Sequence, residues 1–75
     1  MNSNSIEQMI KDGIPDAMVT VLSEDGVHFE AIVTSPAFAG KSSLQQHRLV
    51  FATLGSLMGK EIHALSLQTG VPVDG

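Results

Sequence analysis

Residues 38–67 read FAGKSSLQQHRLVFATLGSLMGKEIHALSL. This stretch decides the fold, because a turn, a long amphipathic helix and the start of a strand follow one another in it. Leu44, His47, Val50, Phe51, Leu54, Leu57 and Met58 recur at spacings of three and four, which puts one apolar stripe on a helix. Ser42 or Ser43 is placed to cap its N-terminus, and Gly59 to end it. A helix over residues 43–58 is about 24 Å long at 1.5 Å per residue. Gly55 inside it costs roughly 1 kcal/mol against Ala and predicts close approach to a neighbour. Gly40, in the connector before the helix, is expected to need unusual dihedrals. Residues 62–68 read as a strand, with Leu65 and Leu67 on the face of His63 and with Ile62, Ala64 and Ser66 on the other.

Working outward, Ile6, Met9 and Ile10 form an apolar stripe that predicts a short helix over residues 6–12, capped by Asn4 or Ser5 and stopped by Gly13 and Pro15. So short a helix needs a sheet to pack on. Residues 17–23 read as a strand whose Met18, Val19, Val21 and Leu22 imply that both faces are partly covered. Glu24-Asp25-Gly26 signals a tight turn, of type I′ or bulged. In the returning strand, residues 27–34, Val27, Phe29, Ala31 and Val33 alternate toward the core, and His28 falls on the opposite face near the turn. Ser35-Pro36 ends that strand. Residues from 69 onward, with Gly70, Pro72 and Gly75, are expected to be loose.

The element order is therefore αββαβ. A helix joining the last two strands makes them parallel with a right-handed crossover. The first two strands form an antiparallel hairpin. The fold class is α+β: two layers, a three-stranded mixed sheet with both helices on one face.

Seventy-five residues make one domain. A domain this small buries only about 60% of its unfolded surface, which leaves little chain for a deep catalytic cleft and favours a binding module over an enzyme. Eight acidic residues against Lys11, Lys41, Arg48 and Lys60 give a net charge of −4. Nucleic-acid affinity draws mainly on Lys and Arg neutralising phosphate, so strong binding of that kind is disfavoured, although three of the four cations lie between positions 41 and 60. The chain has no cysteine, which excludes disulfides, thiolate metal sites and cysteine nucleophiles. Met1-Asn2-Ser3-Asn4-Ser5 carries no signal-peptide pattern, and no apolar run approaches the roughly 20 residues that span a bilayer. A cytoplasmic protein without a membrane partner is expected.

Three histidines hold the chemistry. Imidazole suits iron and zinc, so His63, at the start of the last strand, reads either as a ligand or as a half-buried histidine bonded to backbone. His28 by itself reads as a solvated strand residue, and His47 as a histidine at the core boundary. Gly40-Lys41-Ser42-Ser43 has the flavour of a phosphate loop but lacks its frame, since Ser35 stands where the first glycine is required.

Phe38, Gly40 and Ser42, then His47-Arg48 with Phe51 and Leu54 behind them, then Ile62-His63-Ala64-Leu65 follow one another in the order of the BolA signature. The chain resembles the BolA family from residue 6 to residue 69. The resemblance implies a single BolA-like domain related to the class II KH arrangement, with a core over about residues 5–69 and a flexible tail over 70–75. It departs from the family in two places. The usual R-H-R has Gln46 for its first arginine, which is expected to remove a positive charge from the surface associated with nucleic acid. Where members often continue into T-P-x-E-W and a final helix, this chain reads Thr69-Gly70-Val71-Pro72, so contacts of that segment are expected to be missing or altered.

By resemblance, His63 matches the family's iron–sulfur ligand, and His28 is the candidate for the second ligand supplied from the hairpin region. The family pairs with monothiol glutaredoxins and shares a bridging 2Fe–2S cluster to which the glutaredoxin and glutathione give thiolates. The resemblance thus implies a non-enzymatic adaptor in iron–sulfur trafficking or iron and redox regulation. The isolated chain is expected to hold no cluster and to be a monomer, with a homodimer left open. Ligating imidazole must be neutral, so cluster binding is expected to weaken below about pH 6. The alternative is a nucleic-acid-binding transcriptional regulator of stress response and cell morphology, using Lys41, Arg48 and His47 on the main helix. The G-x-x-G loop of KH domains is absent, since Phe38-Ala39-Gly40-Lys41 has one glycine, and weak, salt-sensitive DNA binding is expected.

Overall fold

The first helix, α1 (Ser3–Gly13), starts three residues before the apolar stripe does, because Asn2 rather than Asn4 or Ser5 caps it. The Asn2 Oδ1 accepts the Ser5 N–H at 2.8 Å. This is a computed structural model, and it describes every residue except Met1, Glu61, His63, Asp74 and Gly75. Ile6 and Ile10 are fully buried and seat α1 on the sheet. Gly13 is the last residue of the helix and has no positive φ. Its role is contact: a Cβ there would stand 2.5 Å from the Cγ2 of Thr53.

Strand β1 (Met18–Leu22) pairs antiparallel with β2 (His28–Thr34), in register from Met18 opposite Thr34 to Leu22 opposite Glu30. Strand β3 (Ala64–Gly70) runs parallel to β2, from His28 opposite Ala64 to Thr34 opposite Gly70. The sheet order is β1-β2-β3, and β2 and β3 are parallel, as expected of strands joined through a helix. Val19, Val21, Phe29, Ala31 and Val33 face the core, while Met18 and Leu22 are 68% and 53% exposed. The outer face of β1 is therefore open, not partly covered. Val27 lies outside β2 and is exposed, because the chain is still turning there.

After β2 the chain makes a 3-10 turn, Pro36–Phe38, that drives Phe38 into the core. Gly40 then adopts φ 76°, as expected of a glycine at that bend. Ser42 caps α2 (Ser43–Leu54) in a reciprocal pair with Gln45: the Ser42 hydroxyl accepts the Gln45 N–H at 3.2 Å, and Gln45 Oε1 accepts the Ser42 N–H at 2.9 Å.

α2 is shorter than its apolar pattern. It stops at Gly55, whose φ of 54° lies where other residues are strained, and a 3-10 turn, Gly55–Leu57, follows. Nothing stands within 4 Å of a Cβ built on Gly55, so this glycine terminates the helix rather than admitting a neighbour. The buried line along α2 is Gln46, Val50 and Leu54, while Leu44 is 59% exposed. Ile62 is wholly buried and precedes β3 instead of opening it. Leu65 and Leu67 pack on the core as their alternation predicts. The strand runs on through Thr69 and Gly70, and Ser35 N–H donates to the Gly70 carbonyl at 3.1 Å. The segment expected to be loose thus begins inside the sheet.

Candidate functional site

Residues 23–27 form the loop between β1 and β2, and Asp25 organises it. Asp25 Oδ1 accepts the backbone N–H of Val27 at 2.9 Å and of His28 at 2.8 Å. Its Oδ2 lies 2.7 Å from His28 Nδ1. Gly26, at φ 75°, lets the chain curl over the carboxylate, and its N–H donates to Ser23 Oγ at 2.8 Å. Asp25 itself has no positive φ, so this is not the type I′ turn, which needs positive φ at both central residues. The His28 backbone N–H, then the His28 ring, then the Val27 N–H hold the Asp25 carboxyl well below the usual carboxylate range.

His28 is the first residue of β2, on the outer face, with its side chain 72% exposed. It lines a groove of about 530 Å³ with Leu22, Ser23, Glu24, Asp25 and Glu30. Its Cα partner across the parallel pair is Ala64, the residue after His63 in sequence. His63 itself lies outside the described residues. The donor chemistry at His28 suits a metal: an exposed imidazole whose other nitrogen meets a carboxylate is the usual environment of a ligating histidine. Among the described residues no three of His, Asp and Glu converge on one point as a complete metal site.

The sequence alone marks Asp25 only as part of a turn. Its signal is nonetheless local, an Asp three residues before a His across a glycine.

A second surface lies at the first half of α2. Lys41, Gln45, Arg48 and Leu49 line a groove of about 300 Å³. The structure thus brings Lys41 and Arg48 together, and among the described residues neither forms an ion pair. His47 is half-buried and stands outside this lining. Position 46 requires a correction. Gln46 is 9% exposed, so it is an interior position and no surface charge is missing there. Its Nε2 donates to the carbonyls of Lys41 at 2.9 Å and Phe38 at 3.3 Å, and its Oε1 accepts the Thr69 hydroxyl at 2.7 Å.

No helix among the described residues is long and apolar enough to cross a membrane. An α+β module of αββαβ order, with an open sheet face and an exposed histidine at the end of its central strand, is the class of protein these elements define. A family model described as BolA-like protein matches residues 6–74. The chain belongs to the BolA family. Among solved structures it is similar to a bolA protein homologue from Coxiella burnetii, with 44% identity, a TM-score of 0.84, and coverage of 96% of this chain and 92% of that one. It is 31% identical to the DNA-binding transcriptional regulator BolA of Vibrio cholerae, over 92% of this chain and 74% of that protein. It is 47% identical over 45 residues to human BolA-like protein 1, covering 60% of this chain and 33% of that protein. The match thus spans about a third of the human relative's length.

Proposed function

We propose that this protein is a non-enzymatic adaptor that docks on a monothiol glutaredoxin and lends histidine nitrogen, from His28 and His63, to a 2Fe–2S cluster carried between the two as cargo. The observation that carries this reading is the exposed His28 imidazole at the end of β2, backed by Asp25 and opposite Ala64 in β3. Two donor residues do not complete a cluster's coordination, so the reading requires thiolates from the glutaredoxin and glutathione. A cysteine-free chain suits it, because imidazole in place of thiolate removes negative charge from the iron and raises its potential.

The test is a titration of the purified protein into cluster-loaded monothiol glutaredoxin with glutathione, followed by visible circular dichroism. A change saturating at one-to-one and lost in His63→Ala is expected, with His28→Ala weakened. Spectra that stay the same in both variants would sink the ligand assignment.

A second reading follows from Lys41 and Arg48 sharing one groove, and from the Vibrio cholerae relative being named a DNA-binding regulator. Two cations on a chain of net charge −4 support only weak binding with a shallow salt slope. Duplex DNA held tightly at 200 mM salt, about the upper end of the usual comparison range, would favour this reading over the adaptor.

A further inference from the structure

We propose that Asp25 is a positioning residue that holds His28 in its Nδ1–H tautomer and thereby presents Nε2 as the atom that binds metal. The metal half of this statement rests on the reading of His28 as a ligand given above. The tautomer half rests on geometry alone.

Asp25 is anchored before the ring is considered, because two backbone N–H groups, of Val27 and His28, donate to its Oδ1. That leaves Oδ2 aimed at His28 Nδ1, at 2.7 Å. An ionised carboxylate only accepts hydrogen bonds, so the nitrogen facing it must donate. Neutral imidazole has one N–H. With that proton on Nδ1, the lone pair is on Nε2, the nitrogen away from Asp25. Glu24 and Glu30 line the same groove, but among the described residues the ring's hydrogen bond is to Asp25 alone. A carboxylate behind a ligating histidine fixes the ring's orientation and raises its basicity. Here a single residue does this from within the same loop, so presentation of the ligand does not depend on the distant core.

Asp25→Asn reverses the arrangement with almost no change of shape. The Asn Oδ1 still accepts from Val27 and His28. Its amide nitrogen, a donor, now faces Nδ1, which must accept, and the ring proton moves to Nε2.

Long-range ¹H–¹⁵N spectra of the isolated full chain at about pH 8, above the ordinary histidine range, read the tautomer from the two ring-nitrogen shifts. The expected result is Nδ1–H at His28 in the wild type and Nε2–H in Asp25→Asn, with amide spectra otherwise superimposable. A wild-type ring protonated at Nε2 overturns the proposal. The same variants are then titrated into cluster-loaded monothiol glutaredoxin with glutathione. Asp25→Asn is expected to bind about 10- to 100-fold more weakly. If Asp25→Asn binds like the wild type while His28→Ala is weakened, the ligand reading stands and the positioning role is overturned. If His28→Ala itself binds like the wild type, His28 is no ligand and the metal half falls, whatever the tautomer spectra show.

Discussion

Asp25 and Gln46 solve the same local problem on opposite sides of the solvent boundary. Each is a polar side chain that bonds to two backbone groups and to side chains: Asp25 to two N–H groups, the His28 ring and, at 3.5 Å, the Ser23 hydroxyl, Gln46 to two carbonyls and the Thr69 hydroxyl. Gln46 is buried and reaches across 23 residues of sequence to β3. Asp25 is 53% exposed and bonds within three residues of itself. Inside, unmade hydrogen bonds are expensive, and the network is a stability device joining the connector, α2 and β3. Outside, water replaces a lost bond cheaply, so the network's main consequence is the orientation of one imidazole.

Substitutions at the two sites should therefore separate stability from chemistry. The largest effect is expected at Gln46→Ala, which strands the Thr69 hydroxyl and the part-buried Lys41 carbonyl and takes one of two hydrogen bonds from the Phe38 carbonyl. A loss of about 2–3 kcal/mol is expected, read as a fall in Tm of roughly 10 °C or more for a domain of this size. Gln46→Glu should be no milder, since it sets an acceptor against two carbonyls. If either variant melts with the wild type, the interior role of Gln46 is wrong.

Two glycines at the ends of α1 and α2 sharpen the point. Gly13→Ala should cost about 1–3 kcal/mol by overpacking against Thr53, and Thr53→Ser should recover part of that in a double-mutant cycle. Gly55→Ala should cost about 1–2 kcal/mol through its positive φ alone, with no rescue by any neighbour. Urea midpoints of the set would show whether the two losses have different origins.

Asp25→Asn should change stability less at neutral pH than the Gln46, Gly13 and Gly55 variants, and its difference from the wild type should shrink in acid. The folded Asp25 carboxyl titrates below its unfolded value of about 3.9. Its contribution is thus present above that value and lost as pH falls toward the folded one. Melting curves of the two proteins should converge between about pH 4 and strong acid. A constant difference across that range would mean that Asp25 is not held ionised by the loop. Smallest of all, Lys41→Ala and Arg48→Ala should leave Tm within the roughly 0.5 kcal/mol typical of surface changes, while lowering any DNA affinity and its salt slope together.

Much of the architecture was legible in the sequence. Alternation along β2, the Ser42 cap, the Ser35-Pro36 break and the αββαβ order were all local patterns, and the parallel pairing of β2 with β3 followed from the helix between them. The exposed histidine at the hairpin was legible too, because period-two alternation places His28 opposite Phe29. Legibility failed where an isolated pattern admitted two outcomes. Periodicity takes Leu44 into the apolar stripe and leaves Gln46 out, because it weighs hydrophobicity and cannot see that an amide's hydrogen bonds are met by Phe38, Lys41 and Thr69. Gly13 and Gly55 exchanged their expected parts for a similar reason. Any glycine near a helix end fits both a stop and a close contact.

What the sequence by itself determined is the main elements, their order, the core face of β2 and the family to which the chain belongs. These depend on spacing and on short-range capping, which act within a few residues. Only the tertiary structure decided which polar groups sit inside and which glycine meets a neighbour. Those outcomes depend on what faces each group across the fold, and on whether water is there to compete.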